Sequence, residues 1–222
     1  SGELEDDEGQ IVCTGGTDSS TGLPVSITYK APATSEYVTP LTSLISDLVA
    51  GGQSVDSAES LVKSSLSIDG SVDLLNFDSV AEAAKGNQHA LDALNASTQV
   101  ANTISLMSSM IDVSSAAEVN ATKASGIVSE AISGVLLENG DLSVDLGDVG
   151  VVQTILSSAM NKSGNNLEQD TSAVASYLIS SINQMVEQRS QTATTPAAFK
   201  QRAAETQMTA ASAVEPTLRK LT

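Results

Sequence analysis

From Thr39 onward, apolar residues recur every three or four positions, the period of a helix with one face turned inward. Leu41, Leu44, Ile45, Leu48 and Val49 form the first stripe. Thr39 before Pro40 pairs an N-cap hydroxyl with a proline whose missing N–H costs nothing in the first turn. Gly51 and Gly52 end that helix. Ser54 caps a second helix, with Asp56 and Glu59 near its positive end and Leu61, Val62 and Leu66 inside. After a connection over 67–76, Asp78 caps a short helix that Gly86 stops. Leu91, Leu94, Val100, Ile104, Met107 and Ile111 predict a long helix over 88–113. Val119, Ile127, Val128, Ala131 and Val135 predict another over 116–137. Asp148 caps a helix running to Met160, and Val174, Leu178, Ile182 and Met185 mark the next. Thr195 and Pro196 repeat the cap-plus-proline signal. The helix they open carries Phe199, Ala203, Ala210, Val214 and Leu218, and Pro216 is expected to kink or end it.

Before Thr39 the pattern is different. Residues 11–14 and 25–29 are short β-type runs separated by Gly15-Gly16-Thr17-Asp18 and Gly22-Leu23-Pro24, which predicts a hairpin or two extended strands. Two strands alone are marginal in water, so they are expected to lie on the helical body. The fold class read from the pattern is mainly α, a multi-helix bundle with a short N-terminal β-hairpin or extended segment. Residues 1–10 read as an acidic flexible terminus, 11–36 as a short β segment packed on the body, and 37–222 as the helical bundle domain.

Composition narrows the function classes. The 222 residues include 10 Lys+Arg against 27 Asp+Glu, a formal charge of -17. That balance argues against nucleic acid, whose binding needs basic groups that displace counterions. Aromatic residues are only 2%, so the core must come from Leu, Ile, Val, Ala and Met, with close contacts lined by Ala and Ser. No apolar run approaches the roughly 20 residues of a membrane span, so no transmembrane segment is expected. A single Cys excludes an internal disulfide framework, and a single His leaves a Ser-His-Asp triad possible only through His89. No paired nucleophile and base, cofactor fingerprint or zinc motif is legible, and the expectation is that the chain is not an enzyme.

Two acidic loops are the candidate metal sites. Asp69, Asp73 and Asp78 form one; Asn139, Asp141 and Asp145, followed by Asp148, form the other. Carboxylate, amide and backbone oxygens in Gly-containing loops suit Ca²⁺, which takes roughly six to eight hard oxygen ligands. Neither loop has the order of an EF-hand, and the competing role for the same residues is helix capping and turn formation. The stretch 15–22 is rich in Gly and hydroxyls but lacks the lysine of a phosphate-binding loop. Cys13 reads as a small hydrophobe in a β run. Met107, Met110, Ile111, Leu178 and Met185 are either core filling or the lining of an apolar pocket between helices that would hold a small ligand.

One stretch is more distinctive than its physics requires. Residues 14–49 combine Thr14-Gly15-Gly16-Thr17-Asp18 with Thr21-Gly22, then Ala31-Pro32-Ala33, then Val38-Thr39-Pro40-Leu41-Thr42-Ser43-Leu44-Ile45. With the helix over 57–66, the segment 73–78, the stretch 83–91 and Gln99-Val100-Ala101-Asn102-Thr103, it resembles a helical module of large secreted, cadherin-like or RTX-type, calcium-dependent adhesin and matrix proteins of aquatic bacteria. The resemblance covers roughly residues 10–113. It implies an extracellular or cell-surface location, an adhesive or matrix-building role, Ca²⁺, and other domains of a larger surface protein or the extracellular matrix as partners. In such proteins calcium loops usually precede the module. Here Glu5-Asp6-Asp7-Glu8-Gly9 stands in that place without the Asp-x-Asn-x-Asp order.

Overall fold

The computed structural model describes residues 3–7, 9–17, 24, 25, 27–114, 120–140, 142–191 and 196–221. The chain opens with three strands, β1 (Glu3–Asp7), β2 (Gln10–Thr14) and β3 (Tyr29–Pro32). They form one antiparallel sheet in the order β1-β2-β3, with Asp6 opposite Ile11 and Val12 opposite Lys30. Two expectations change here. Residues 1–10, read as a flexible acidic terminus, contribute β1: charge alone suggested a frayed start, but Ile11, Val12 and Cys13 offer it a strand to pair with. The second β run falls at 29–32 rather than 25–29. Pro32, which lacks an N–H for the ladder, occupies the strand end opposite Gln10, where proline is tolerated.

The rest is helical: α1 (Pro40–Ala50), α2 (Val55–Ser65), α3 (Ser79–Ala84), α4 (Gln88–Ser114), α5 (Ala121–Asn139), α6 (Val149–Lys162), α7 (Gln169–Gln191), α8 (Pro196–Thr209) and α9 (Glu215–Leu221). The anticipated caps that fall within the described residues are in place, whereas Thr195, expected to cap the helix that begins at Pro196, lies outside them. Thr39 and Thr42 form a reciprocal capping box before α1, and Ser54, Asp78 and Asp148 accept from backbone N–H groups at the starts of α2, α3 and α6. Asn120 caps α5, which begins at Ala121; the earlier start expected near 116 falls outside the described residues. A π-helical turn over Ala210–Val214 joins α8 to α9 immediately before Pro216, whose missing N–H cannot sustain a regular α ladder.

The bundle is organised around α4, which packs against α5, α7, α3 and α9, while α6 bridges α5 and α7 and α1 lies on α5. Val100, Ile104, Met107, Met110 and Ile111 are fully buried along α4 and meet Val128, Ile132 and Leu136 of α5 in one core. In α7 the inward face is rotated from the expected one. Ala175, Ile179, Ile182 and Val186 are buried, whereas Val174 is exposed and Leu178 and Met185 are only partly covered. Among the described residues no helix is long and apolar enough to cross a membrane.

Small hydroxyl residues line the close contacts. Ser125, Ser129 and Ser133 recur every fourth residue on α5, a spacing that puts them on one face, and all three are buried. Each reaches across to the N-terminal half. Thr28 N donates to Ser125 Oγ (3.1 Å), Ser129 Oγ donates to Asp47, and Ser133 Oγ lies 3.3 Å from the Leu44 carbonyl. On α1, the Thr42 and Ser43 hydroxyls lie 3.0 and 3.2 Å from the Lys30 carbonyl, and Lys30 N donates to Ser43 Oγ at 2.8 Å. Strand β3 is thus fastened to the bundle by polar contacts as well as by Ala31, which is fully buried.

Candidate functional site

The seam between β3, α1 and α5 opens into a cleft of ≈ 390 Å³ that also meets the end of α6. Four charged residues line it: Lys30 of β3, Asp47 of α1, Glu130 of α5 and Lys162 of α6. Its apolar lining includes Leu48, Ala50 and Leu137. Leu137 is 50% exposed although it is a large aliphatic residue. Gly134, in the middle of α5, has no side chain to fill the space; a Cβ built there would meet nothing within 4 Å.

Asp47 sits one residue before the buried Leu48, near the inward stripe of α1, and its side chain is only 4% exposed. Its Oδ1 accepts from Lys30 Nζ at 2.9 Å and its Oδ2 from the Ser129 hydroxyl. Burial pushes the Asp47 carboxyl above the ordinary carboxylate value, and the nearby Glu130 adds to that shift. Lys30 and the Ser129 hydrogen bond pull the other way and do not fully compensate, because loss of hydration penalises the charged form more than one ammonium restores. Glu130 and Lys162 pair more loosely: Lys162 Nζ lies 3.4 Å from Glu130 Oε2, and both side chains are about half exposed.

The acidic residues singled out from sequence serve local backbone geometry. Asp69 Oδ1 accepts from the Ser71 amide at 2.9 Å and from its hydroxyl, which holds the Asp69 carboxyl below the ordinary value. Asp73 accepts from the Asn76 side chain and from the Leu75 and Asn76 amides, with the same effect on its carboxyl. Asp78 caps α3 through Ala81 N. Asn139 donates to the Val135 carbonyl, and Asp145 accepts from Gly147 N at 2.7 Å. Asp141 lies outside the described residues.

The second acidic loop packs against the C-terminal end of α2, which leads into the first. Val144 N donates to the Ser65 carbonyl at 2.7 Å, Ser65 Oγ donates to the Gly140 carbonyl, and the Ser67 and Ser143 hydroxyls are 3.0 Å apart. Beside this junction, a second cleft of ≈ 330 Å³ is lined by Asp92, Asp145 and Glu187 together with Asn95, Gln99 and Ser143. Asn95 Oδ1 is buried without a hydrogen-bond partner. The carboxylates do not converge, however: among the described residues no group of three or more His, Cys, Asp or Glu is placed to hold a metal ion.

His89 has an acidic neighbour that spacing did not reveal, with Nδ1 3.6 Å from Asp69 Oδ2. Both side chains are about half exposed, and the Ser71 hydroxyl donates to Asp69 rather than to the imidazole. A serine–histidine relay is therefore not assembled at this point. Met107, Met110 and Ile111 are solid core, and Leu178 and Met185 pack at its edge. They line neither of the two clefts.

Lys30, Asp47, Glu130 and Lys162 were not singled out from the sequence, because they lie up to 132 residues apart and share no motif. One local signal was present: a carboxylate at position 47 sits between Ile45 and Leu48 on an otherwise inward-facing stripe. Comparison with protein-family models, with curated proteins and with solved structures gives no match.

Proposed function

We propose that the chain is a non-enzymatic module of a large extracellular or cell-surface protein, working in adhesion or matrix assembly by holding neighbouring domains in a fixed geometry. The observation that carries this reading is the attachment of the N-terminal sheet to the helical body. Lys30 alone contributes an ion pair, an amide donor and a carbonyl acceptor to α1. Thr28 adds a backbone bond to α5. Such an attachment suits a module that transmits force or orientation from one end of its fold to the other. The adhesive setting, the extracellular location and the partner domains rest on the sequence resemblance over residues 10–113. Ca²⁺ enters the proposal through the same resemblance.

Location gives the decisive test. Antibodies raised against the helical body are applied to intact, unpermeabilised cells that make the protein. Surface labelling that protease treatment of the intact cells removes is the expected result. Labelling that appears only after the cells are broken open would overturn the extracellular reading.

A further inference from the structure

We propose that the cleft between α1, α5 and the end of α6 binds a small zwitterion of the amino-acid or short-peptide class, its ammonium paired with Glu130, its carboxylate with Lys162, and its apolar body against Ala50 and Leu137. This inference stands apart from the scaffold reading, and either can fail alone.

The charges select the ligand class. The cleft holds two ammonium groups and two carboxylates, so it has no net charge. Asp47 already has a partner on each oxygen, Lys30 on one and Ser129 on the other, and is almost entirely buried. That leaves Glu130 and Lys162, which meet at 3.4 Å while remaining about half exposed. So loose and wet a pair contributes little and is readily exchanged. A plain anion would take Lys162 and leave Glu130 without its partner; a plain cation would do the reverse. A molecule carrying both charges replaces the pair with two charge-assisted hydrogen bonds and strands neither group.

The shape agrees with the charges. A cleft of ≈ 390 Å³ lies within the range of small-molecule sites. The half-exposed Leu137 and the exposed Ala50 supply apolar surface for the body of the ligand. Gly134 keeps the space open in mid-helix, where no neighbouring atom within 4 Å demands a glycine.

The test is an NMR titration of the isotopically labelled full chain with the dipeptide leucyl-leucine, read at the amides of Gly51, Gly134 and Leu137. Saturable shifts at these positions are expected. N-acetyl-leucine, which lacks the ammonium, and leucinamide, which lacks the carboxylate, should each bind about tenfold more weakly, the scale of one lost charged hydrogen bond. Gly134→Leu fills the cleft and should abolish the shifts, with its fold checked by circular dichroism. Glu130→Gln, at a half-exposed position that leaves packing intact, should erase the preference for the zwitterion over N-acetyl-leucine. Absence of saturable shifts at tens of millimolar dipeptide would overturn the proposal. So would equal binding of either single-charge analogue, or binding that survives Gly134→Leu.

Discussion

Lys30 Nζ and Asp47 Oδ1 lie 2.9 Å apart, joining the last strand of the N-terminal sheet to the first helix of the bundle at a point where the carboxylate is almost entirely shielded from water. The two elements are contiguous in sequence, yet the pair is completed from far along the chain by the hydroxyl of Ser129. Asp47→Ala removes the acceptor that both donors share. The expected loss is about 1–3 kcal/mol in urea denaturation, toward the low end because Lys30 is partly exposed and can turn to solvent.

The same carboxylate carries a pH signature of unusual sign. Its folded-state value lies above the ordinary one, so on acidification the native chain takes up this proton before the unfolded chain does. Asp47 therefore contributes stability that is fully present below the ordinary carboxylate range and is lost as pH rises through its raised folded value. Asp69 and Asp73 act oppositely, contributing above the ordinary range and losing that contribution as pH falls through their lowered values. Subtracting the pH profile of Asp47→Asn from that of the native chain isolates the first effect. The difference should favour the native chain progressively as the pH is lowered from neutral; a difference that runs the other way would mean that Lys30 dominates burial.

The serine seam of α5 should behave as a set of specific bonds rather than as small-residue packing. Ser125→Ala strands the buried Thr28 amide, and Ser129→Ala removes a hydroxyl donor from a buried carboxylate. Each is expected to lose about 1–2 kcal/mol by chemical denaturation, although each deletes a single oxygen atom. Ser181→Ala, at a partly exposed position where the hydroxyl bonds to the Tyr177 carbonyl of its own helix, should change stability by less than about 0.5 kcal/mol.

Gly134 should be replaceable at a gain. An added methyl meets nothing within 4 Å, so only the intrinsic helix preference changes. Gly134→Ala is expected to stabilise the protein by about 0.5–1 kcal/mol, seen as a raised melting temperature. A fall would show that the position is packed or strained rather than open.

Much of the helical body was legible because its signals are local. Thr39-Pro40, Ser54, Asp78 and Asp148 each announce a helix within a few residues, and each caps the helix it announces. The stripe over α4 identified Val100, Ile104, Met107 and Ile111 correctly as core. Where partners are distant, the reading failed. An acidic pentapeptide becomes β1 only because Ile11, Val12 and Cys13 follow it in antiparallel register. In α7, Val174 and Leu178 have the right period, but Ala175 and Ile179 have it too, and only the position of α4 and α6 decides which face turns inward. The charged cleft depends on four residues from four elements, and no pattern along the chain brings them together.

Calcium supplies a separate test. If the ion binds the native chain and not the unfolded one, millimolar Ca²⁺ raises the melting temperature by mass action. An identical rise with an equal ionic strength of sodium chloride would assign the effect to screening of the -17 charge instead.

Sheet and bundle are joined through Thr28 and Lys30, and native-state hydrogen exchange under increasing denaturant measures whether they open as one unit. The amides of Thr28 and Lys30, which donate to hydroxyls of α5 and α1, should lose protection together with the core amides of α4 and α5, in a single global opening. Exchange at Thr28 and Lys30 that runs freely at low denaturant, while α4 and α5 stay protected, would show a sheet that detaches on its own and would contradict the account.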